Sequence, residues 1–214
     1  VVSYIVRSAH ELLQRDFGLE DGLASTDTWA DVAKRVKGLK IPSSAKPSDP
    51  FVCILDPATG TGTFLFECIE TIERTMKDRW CRELRKEATH PAIAAKWKEY
   101  VSKHLLPRLF GYELMMASYA IAHLKLSLKL YETGYRIAIS DRLELYLTNT
   151  LEPPSVAANP KLASLFDTLA MQAQAVSEIK RERRFTVVVG NPPYAGLSAN
   201  MADHAQQLVD AYKM

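Results

Sequence analysis

Two segments carry residue types able to do chemistry, and each follows an apolar, strand-like run. The first is Asp56-Pro57-Ala58-Thr59-Gly60-Thr61-Gly62-Thr63-Phe64-Leu65. Gly60 and Gly62 let the backbone approach a ligand closely, because no side chain intervenes. A helix starting just after them presents unpaired N–H groups that favour a carboxylate. A dinucleotide cradle has a third glycine, but Leu65 stands at that place here. The smaller methionine portion of S-adenosylmethionine therefore suits the loop better. Taken alone, a GxG is also compatible with an ordinary strand-to-helix turn.

The second segment is Asn191-Pro192-Pro193-Tyr194. Its prolines stiffen the chain and restrict the residue before each of them. Such a loop can hold the Asn191 side-chain oxygen and the Pro192 carbonyl in fixed positions. Together they can accept both hydrogens of an exocyclic NH2 group. That draws the nitrogen lone pair out of conjugation and aims it at a methyl donor, a preorganised stabilisation of developing charge. Tyr194 offers a flat face for a base, and base–aromatic stacking is worth ~1–3 kcal/mol. A base in a duplex must first be flipped out, at a cost of a few kcal/mol. The amine sheds its proton after attack, so no catalytic histidine is required. A proline-stiffened turn is the bland alternative.

Two further residues join these segments. Glu113 ends a strand-like run, where a carboxylate can accept the hydroxyls of a ribose. It follows Gly62 by 51 residues, far more than the ~20 of a simple nucleotide-binding unit. Asn149 follows another such run and can bond a cofactor's adenine, or equally form a turn. Lys180-Arg181-Glu182-Arg183-Arg184 can touch phosphate but reads more simply as a charged surface. The histidines at 10, 90, 104, 123 and 204 show no ligand spacing, and no metal is expected.

The elements that must position these residues alternate in type. Val2, Ile5, Val6, Ala9, Leu12 and Leu13 predict an N-terminal helix. Residues 18–50 read as a surface connection. Phe51–Leu55 is a continuous apolar run, as in a strand buried on both faces, and a helix follows from about Thr63. Strands are predicted at 108–113, 143–147 and 185–189, with a helix from the second of the four strands through Tyr131. On that helix Ser118, Ala122, Lys125, Lys129 and Glu132 are expected to face outward. Leu162, Leu165, Phe166, Leu169, Ala173 and Val176 mark another helix, and residues 76–105 a helical insertion. The pattern predicts one α/β domain with a mostly parallel sheet, cut short after its fourth strand. Residues 1–50 supply the first helix and connection, 51–75 the cofactor loop and helix, and 106–214 the remaining sheet–helix units. Ligands in such sheets bind at the carboxyl ends of the strands.

Bulk properties narrow the function classes. The composition, 47% hydrophobic and 24% charged, is that of an ordinary folded domain. No apolar run approaches the roughly 20 residues of a membrane span, and the first residues lack the marks of a secretory signal. Cys53, Cys68 and Cys81 suggest buried free thiols in a reducing cytosol. A net charge of +2 is small for a chain that grips DNA unaided. DNA is therefore expected to be held locally or by segments outside this one. The missing initial methionine and the polar stretch ending at Met214 read as a fragment.

With the glycine loop placed before NPPY, the chain resembles the N6-adenine DNA methyltransferases. More narrowly, it is similar to the methyltransferase region of type ISP restriction-modification enzymes, in which nuclease, translocase, methyltransferase and target-recognition domains are fused. The resemblance lies in Val1 to Leu13, Ile54 to Leu65, Leu105 to Leu128, Leu145 to Pro153 and Val187 to Asn200. It implies a Rossmann-like fold, S-adenosylmethionine as cofactor and double-stranded DNA as partner. It implies that Asp56, Ala58, Thr59, Gly60, Thr61 and Gly62 line the methionine end and that Glu113 takes the ribose. Asn149 would lie near the adenine, and Asn191, Pro192, Pro193 and Tyr194 would hold the target base. The Thr-Pro pair usual upstream of the first helix is missing, as are the strands after NPPY and a recognition domain. N4-cytosine, RNA guanine and protein glutamine are alternative acceptors, since all present a planar NH2. A nucleotide-binding or docking piece without activity is the non-enzymatic alternative, and an oxidoreductase fits least.

Overall fold

A computed structural model describes residues 1–138, 141–148, 150, 176, 178–180 and 183–192. Its helices are α1 (Val2–Phe17), α2 (Trp29–Arg35), α3 (Thr63–Leu84), α4 (Pro91–Tyr100) and α5 (Met116–Glu132), and its strands β1 (Ile54–Asp56), β2 (Leu109–Glu113), β3 (Glu144–Leu147) and β4 (Val187–Val188). The four described strands form one all-parallel sheet in the order β3-β2-β1-β4. The chain thus winds outward from β1 to β2 and β3, then returns to place β4 on the other flank of β1.

Strand residues alternate between two cores, as the period of two requires. Ile54, Leu109 and Leu145 enter a large cluster with α1, α3, α4 and α5. Cys53, Leu55, Phe110, Tyr112 and Tyr146 form a second cluster on the opposite face, with Val176. Among the described residues the central strands β1 and β2 are therefore covered on both faces, as in a buried parallel sheet, while Val188 of the edge strand β4 is 60% exposed. On α3 the positions Leu65, Cys68, Ile69, Ile72, Met76 and Trp80 repeat at helical spacing and are buried. The helix runs unbroken across position 76, and Trp80, Trp97 and Tyr100 close one end of the core.

Two expectations need correction. Residues 18–50 are more than a surface connection: Leu19, Leu23, Ala24, Trp29 and Val32 are core residues, and α2 lies among them. The Thr28 side chain accepts from the Asp31 N–H, and Asp31 accepts from the Thr28 N–H, closing a capping box. On α5 the outward face is not the polar stripe. Ala122, Leu126 and Leu130 are buried, whereas Ile121, Leu124, Leu128 and Tyr131 are exposed. The lysines turn inward because their stems lie along apolar surface while their charged ends find partners. Lys125 and Lys129 sit over the Phe66 ring, and Lys125 donates to Thr63. Lys129 lies 3.9 Å from Glu70 and 3.8 Å from Glu73.

Cys53 and Cys68 are buried free thiols, Cys81 is half-buried, and burial pushes the Cys53 thiol up to about 12. Among the described residues no helix is long and apolar enough to cross a membrane. The helix expected at 162–176 falls almost wholly outside the described residues.

Candidate active site

The site is built at the carboxyl ends of β1, β2 and β4. After β1 the chain turns at Asp56, whose side chain accepts from the Ala58 N–H at 3.1 Å. Thr59 donates its hydroxyl to the Asp56 carbonyl at 3.2 Å and its N–H to the Tyr112 carbonyl at 2.9 Å. Gly60 and Gly62 have φ of 54° and 79°, a left-handed conformation that side chains disfavour. Gly62 caps α3 and packs on Ala122, where an added Cβ would lie 3.4 Å from the Ala122 methyl. At Gly60 an added Cβ would meet only the Ala58 carbonyl, at 4.0 Å. One side of the loop is therefore closed by α5 and the other is open.

Glu113 reaches this loop from β2. Its carboxylate accepts from the Gly60 N–H at 2.7 Å and from the Met115 N–H at 2.7 Å. Each oxygen keeps acceptor capacity beyond these bonds. Leu114, next to it, is 67% exposed and offers an apolar surface beside the carboxylate.

Asp56 is the buried charge of the site. It is 1% exposed, and its Oδ2 has no hydrogen-bond partner. Burial raises the carboxyl to about 6; the Ala58 N–H works against that shift and the nearby Glu113 adds to it. A buried polar atom without a partner is costly unless a ligand or water satisfies it.

β4 delivers the second motif to the same place. The Val189 N–H donates to the Leu55 carbonyl at 2.9 Å, so the chain follows β1 to its end. Gly190 lies against Asp56: an added Cβ would sit 2.8 Å from Oδ1 and 3.2 Å from Pro57 Cδ. Only a glycine permits that approach, and it sets Asn191 and Pro192, both exposed, beside the glycine loop. From the β3 side, the Thr150 hydroxyl donates to the Pro57 carbonyl.

Of the residues singled out from sequence, Asp56, Ala58, Thr59, Gly60, Thr61, Gly62, Glu113, Asn191 and Pro192 are thus gathered at one sheet edge. Asn149, Pro193 and Tyr194 lie outside the described residues. Gly190, Thr150 and Leu114 were passed over. The signal for Gly190 was present, since a glycine directly before a stiff Asn-Pro-Pro turn is a cue for close backbone approach. No local pattern marks Thr150 or Leu114.

The open glycine loop, the N-terminus of α3, the buried Asp56 carboxylate with its Oδ2 unpartnered, and the Glu113 carboxylate at the end of β2 thus lie together.

Residues 108–214, from the start of β2 through NPPY, match the profile of the Eco57I restriction-modification methylases. Three solved structures share the fold at 22% identity. A nuclease-deletion mutant of the Type ISP restriction-modification enzyme LlaGI, in complex with a DNA substrate mimic, aligns over 98% of this chain at a TM-score of 0.60. A DrdV–DNA complex aligns over 99% at 0.55. The ATP-dependent Type ISP restriction-modification enzyme LlaBIII bound to DNA aligns over 91% at 0.53. The chain spans 14%, 16% and 10% of those three chains, respectively. No curated protein matches it.

Proposed function

The chain belongs to the Eco57I restriction-modification methylase family, and from that premise we propose that it methylates the N6 amine of a flipped-out adenine in DNA, using S-adenosylmethionine. The reading is carried by the contact of Gly190 with Asp56, which brings Asn191 beside the glycine loop. Methyl donor and acceptor amine can then meet at one sheet edge.

S-adenosylmethionine supplies a methyl group on a positively charged sulfur when bound. The loop at 58–62 and the N-terminus of α3 receive its methionine end, and Asp56 sets a carboxylate near the ammonium. Glu113 would take the ribose hydroxyls with its remaining lone pairs, Leu114 would lie against the purine, and Asn149 would bond it. At the acceptor, the Asn191 side-chain oxygen and the Pro192 carbonyl accept the two N6 hydrogens. Pro193 fixes that geometry, and Tyr194 stacks on the base. Asn191 and Pro192 would thereby aim the amine lone pair at the methyl group that the bound cofactor would supply, and the surplus proton would leave to solvent. Positioning and electrostatic preorganisation carry the catalysis. The parent enzyme would hold duplex DNA largely through a recognition domain, and would join nuclease and translocase functions to this one.

Methyl-labelled S-adenosylmethionine offered with DNA, RNA and protein to the intact enzyme tests the reading. Label in DNA, recovered as N6-methyladenine, is expected. Label confined to protein or RNA overturns it, and N4-methylcytosine corrects the base.

A further inference from the structure

We propose that the opposite, amino edge of the sheet is a second DNA contact, gripping the phosphate backbone of a duplex segment away from the target base. The inference rests on the reading that duplex DNA is the substrate. It starts from charge: the whole chain carries a net +2, yet the positive excess is concentrated. Lys34, Arg35, Lys37, Lys40, Lys46, Arg183 and Arg184 are all exposed and fall in two segments, 34–46 and 183–184. The carboxylates around them are Asp27, Asp31 and Asp49. Asp27 is bound by Arg35 at 3.0 Å, and Asp31 by its own cap and by Lys34 at 3.9 Å. Asp49 accepts from the Lys46 backbone N–H. Among the described residues, Lys37, Lys40, Lys46 and Arg184 have no carboxylate partner within ion-pair distance.

Residues 44–49 and 183–184 form one surface, and α2, which leads into Lys37 and Lys40, is tied to it where the Trp29 and Ala30 N–H groups donate to the Asp49 and Pro47 carbonyls. Arg184 donates to the Ser44 hydroxyl, and Ala45, Asp49, Arg183 and Arg184 line a common small cleft. Residues 51–53 and 183–186 lead into the parallel strands β1 and β4, so this surface lies at the edge opposite Gly60 and Asn191. Lys37 and Lys40 flank a turn at Gly38, where an added Cβ would meet nothing within 4 Å. Ser43, exposed, and the half-buried Ser44 add neutral donors of the kind that accompany phosphate contacts. Unpaired cations with interspersed hydroxyls and no exposed aromatic suit a phosphate backbone, not a base edge. The two edges of a parallel sheet face opposite directions, so a straight duplex seated on one does not reach the other, and this surface takes a flanking or curved segment.

The test is K37Q/K40Q/K46Q in the intact enzyme, with binding to a duplex lacking the target measured across a salt series. Each lost phosphate contact lowers the slope of log K against log salt by about 0.9, so a fall of up to about 3 is expected. Affinity at about 150 mM salt should drop about 10-fold or more. Methyl transfer at saturating DNA and S-adenosylmethionine binding should be unchanged. K37R/K40R/K46R should restore the wild-type slope. Wild-type slope and affinity in the glutamine variant overturn the proposal, as does failure of the arginine variant to restore them. Duplex binding that responds as expected in an enzyme that transfers no methyl to DNA would instead overturn the proposed function and leave the surface standing.

Discussion

The backbone N–H of Gly60 donates to the Glu113 carboxylate at 2.7 Å, so the loop after β1 and the end of β2 are held as one unit. The same carboxylate braces the loop and, in the proposed function, takes the ribose of the cofactor. Removing it costs a charge-assisted hydrogen bond, worth about 1.5–3 kcal/mol. Glu113→Ala should therefore weaken S-adenosylmethionine binding by about 10- to 100-fold, with Glu113→Gln falling between. Calorimetric titration reads this directly, and equal affinity in Glu113→Ala contradicts the assigned role.

Asp56 predicts a pH dependence of stability. Its folded-state value of about 6 lies above the ordinary 3.8 because the carboxyl is buried. The folded protein therefore holds this proton more tightly than the unfolded chain. The associated stability is complete below the unfolded value and is lost as pH rises through about 6. Asp56→Asn is uncharged throughout and escapes that loss. Its melting temperature relative to wild type should climb between about pH 4 and about pH 7, by the equivalent of at most about 3 kcal/mol. A pH-independent difference between the two proteins would contradict the burial argument.

Gly190→Ala tests how the two motifs are held together. The added methyl must displace Asp56 or Pro57, and Asn191 moves with it. Misplacement by about 1 Å can cost on the order of 100-fold in rate. We expect single-turnover methyl transfer at saturating cofactor to fall at least about 10-fold. A wild-type rate would mean that Asn191 tolerates the shift.

Arg108 carries a stability prediction. It is buried, and it donates to the Ser25 and Ala24 carbonyls and to the Tyr100 hydroxyl. Tyr100 in turn donates to the Ala24 carbonyl at 2.6 Å. The guanidinium thus ties the 22–25 turn to the chain entering β2. Arg108→Met leaves the Ser25 carbonyl unsatisfied and should cost about 3 kcal/mol, read as a lower denaturant midpoint at unchanged slope. A midpoint equal to that of wild type would show that the turn is held by packing alone.

The strands were legible because a doubly buried strand is a continuous apolar run, as at Phe51–Leu55. Their limits were not. The Phe51 N–H goes to the Asp27 carbonyl and the Cys53 N–H to the Thr186 hydroxyl, so the ladder with β2 begins only at Ile54. α2 is too short to show periodicity, although the capping pair Thr28 and Asp31 is visible in the sequence. The outward face of α5 was misread because apolar residues occur all round that helix, and only packing with Phe66 and Glu73 decides where its lysines turn. The glycine loop and the Asn191 turn could be read as motifs because their backbone demands are local. The bond from Gly60 to Glu113 joins residues 53 apart, and the approach of Gly190 to Asp56 depends on strand order. Neither leaves a periodic trace.

The central claim is tested most directly by Asn191→Ala in the intact enzyme, with methyl-labelled S-adenosylmethionine and duplex DNA digested to nucleosides. Wild type should yield labelled N6-methyladenine. The variant should yield none above background while binding the cofactor with near wild-type affinity. Undiminished N6-methyladenine from Asn191→Ala would contradict the account.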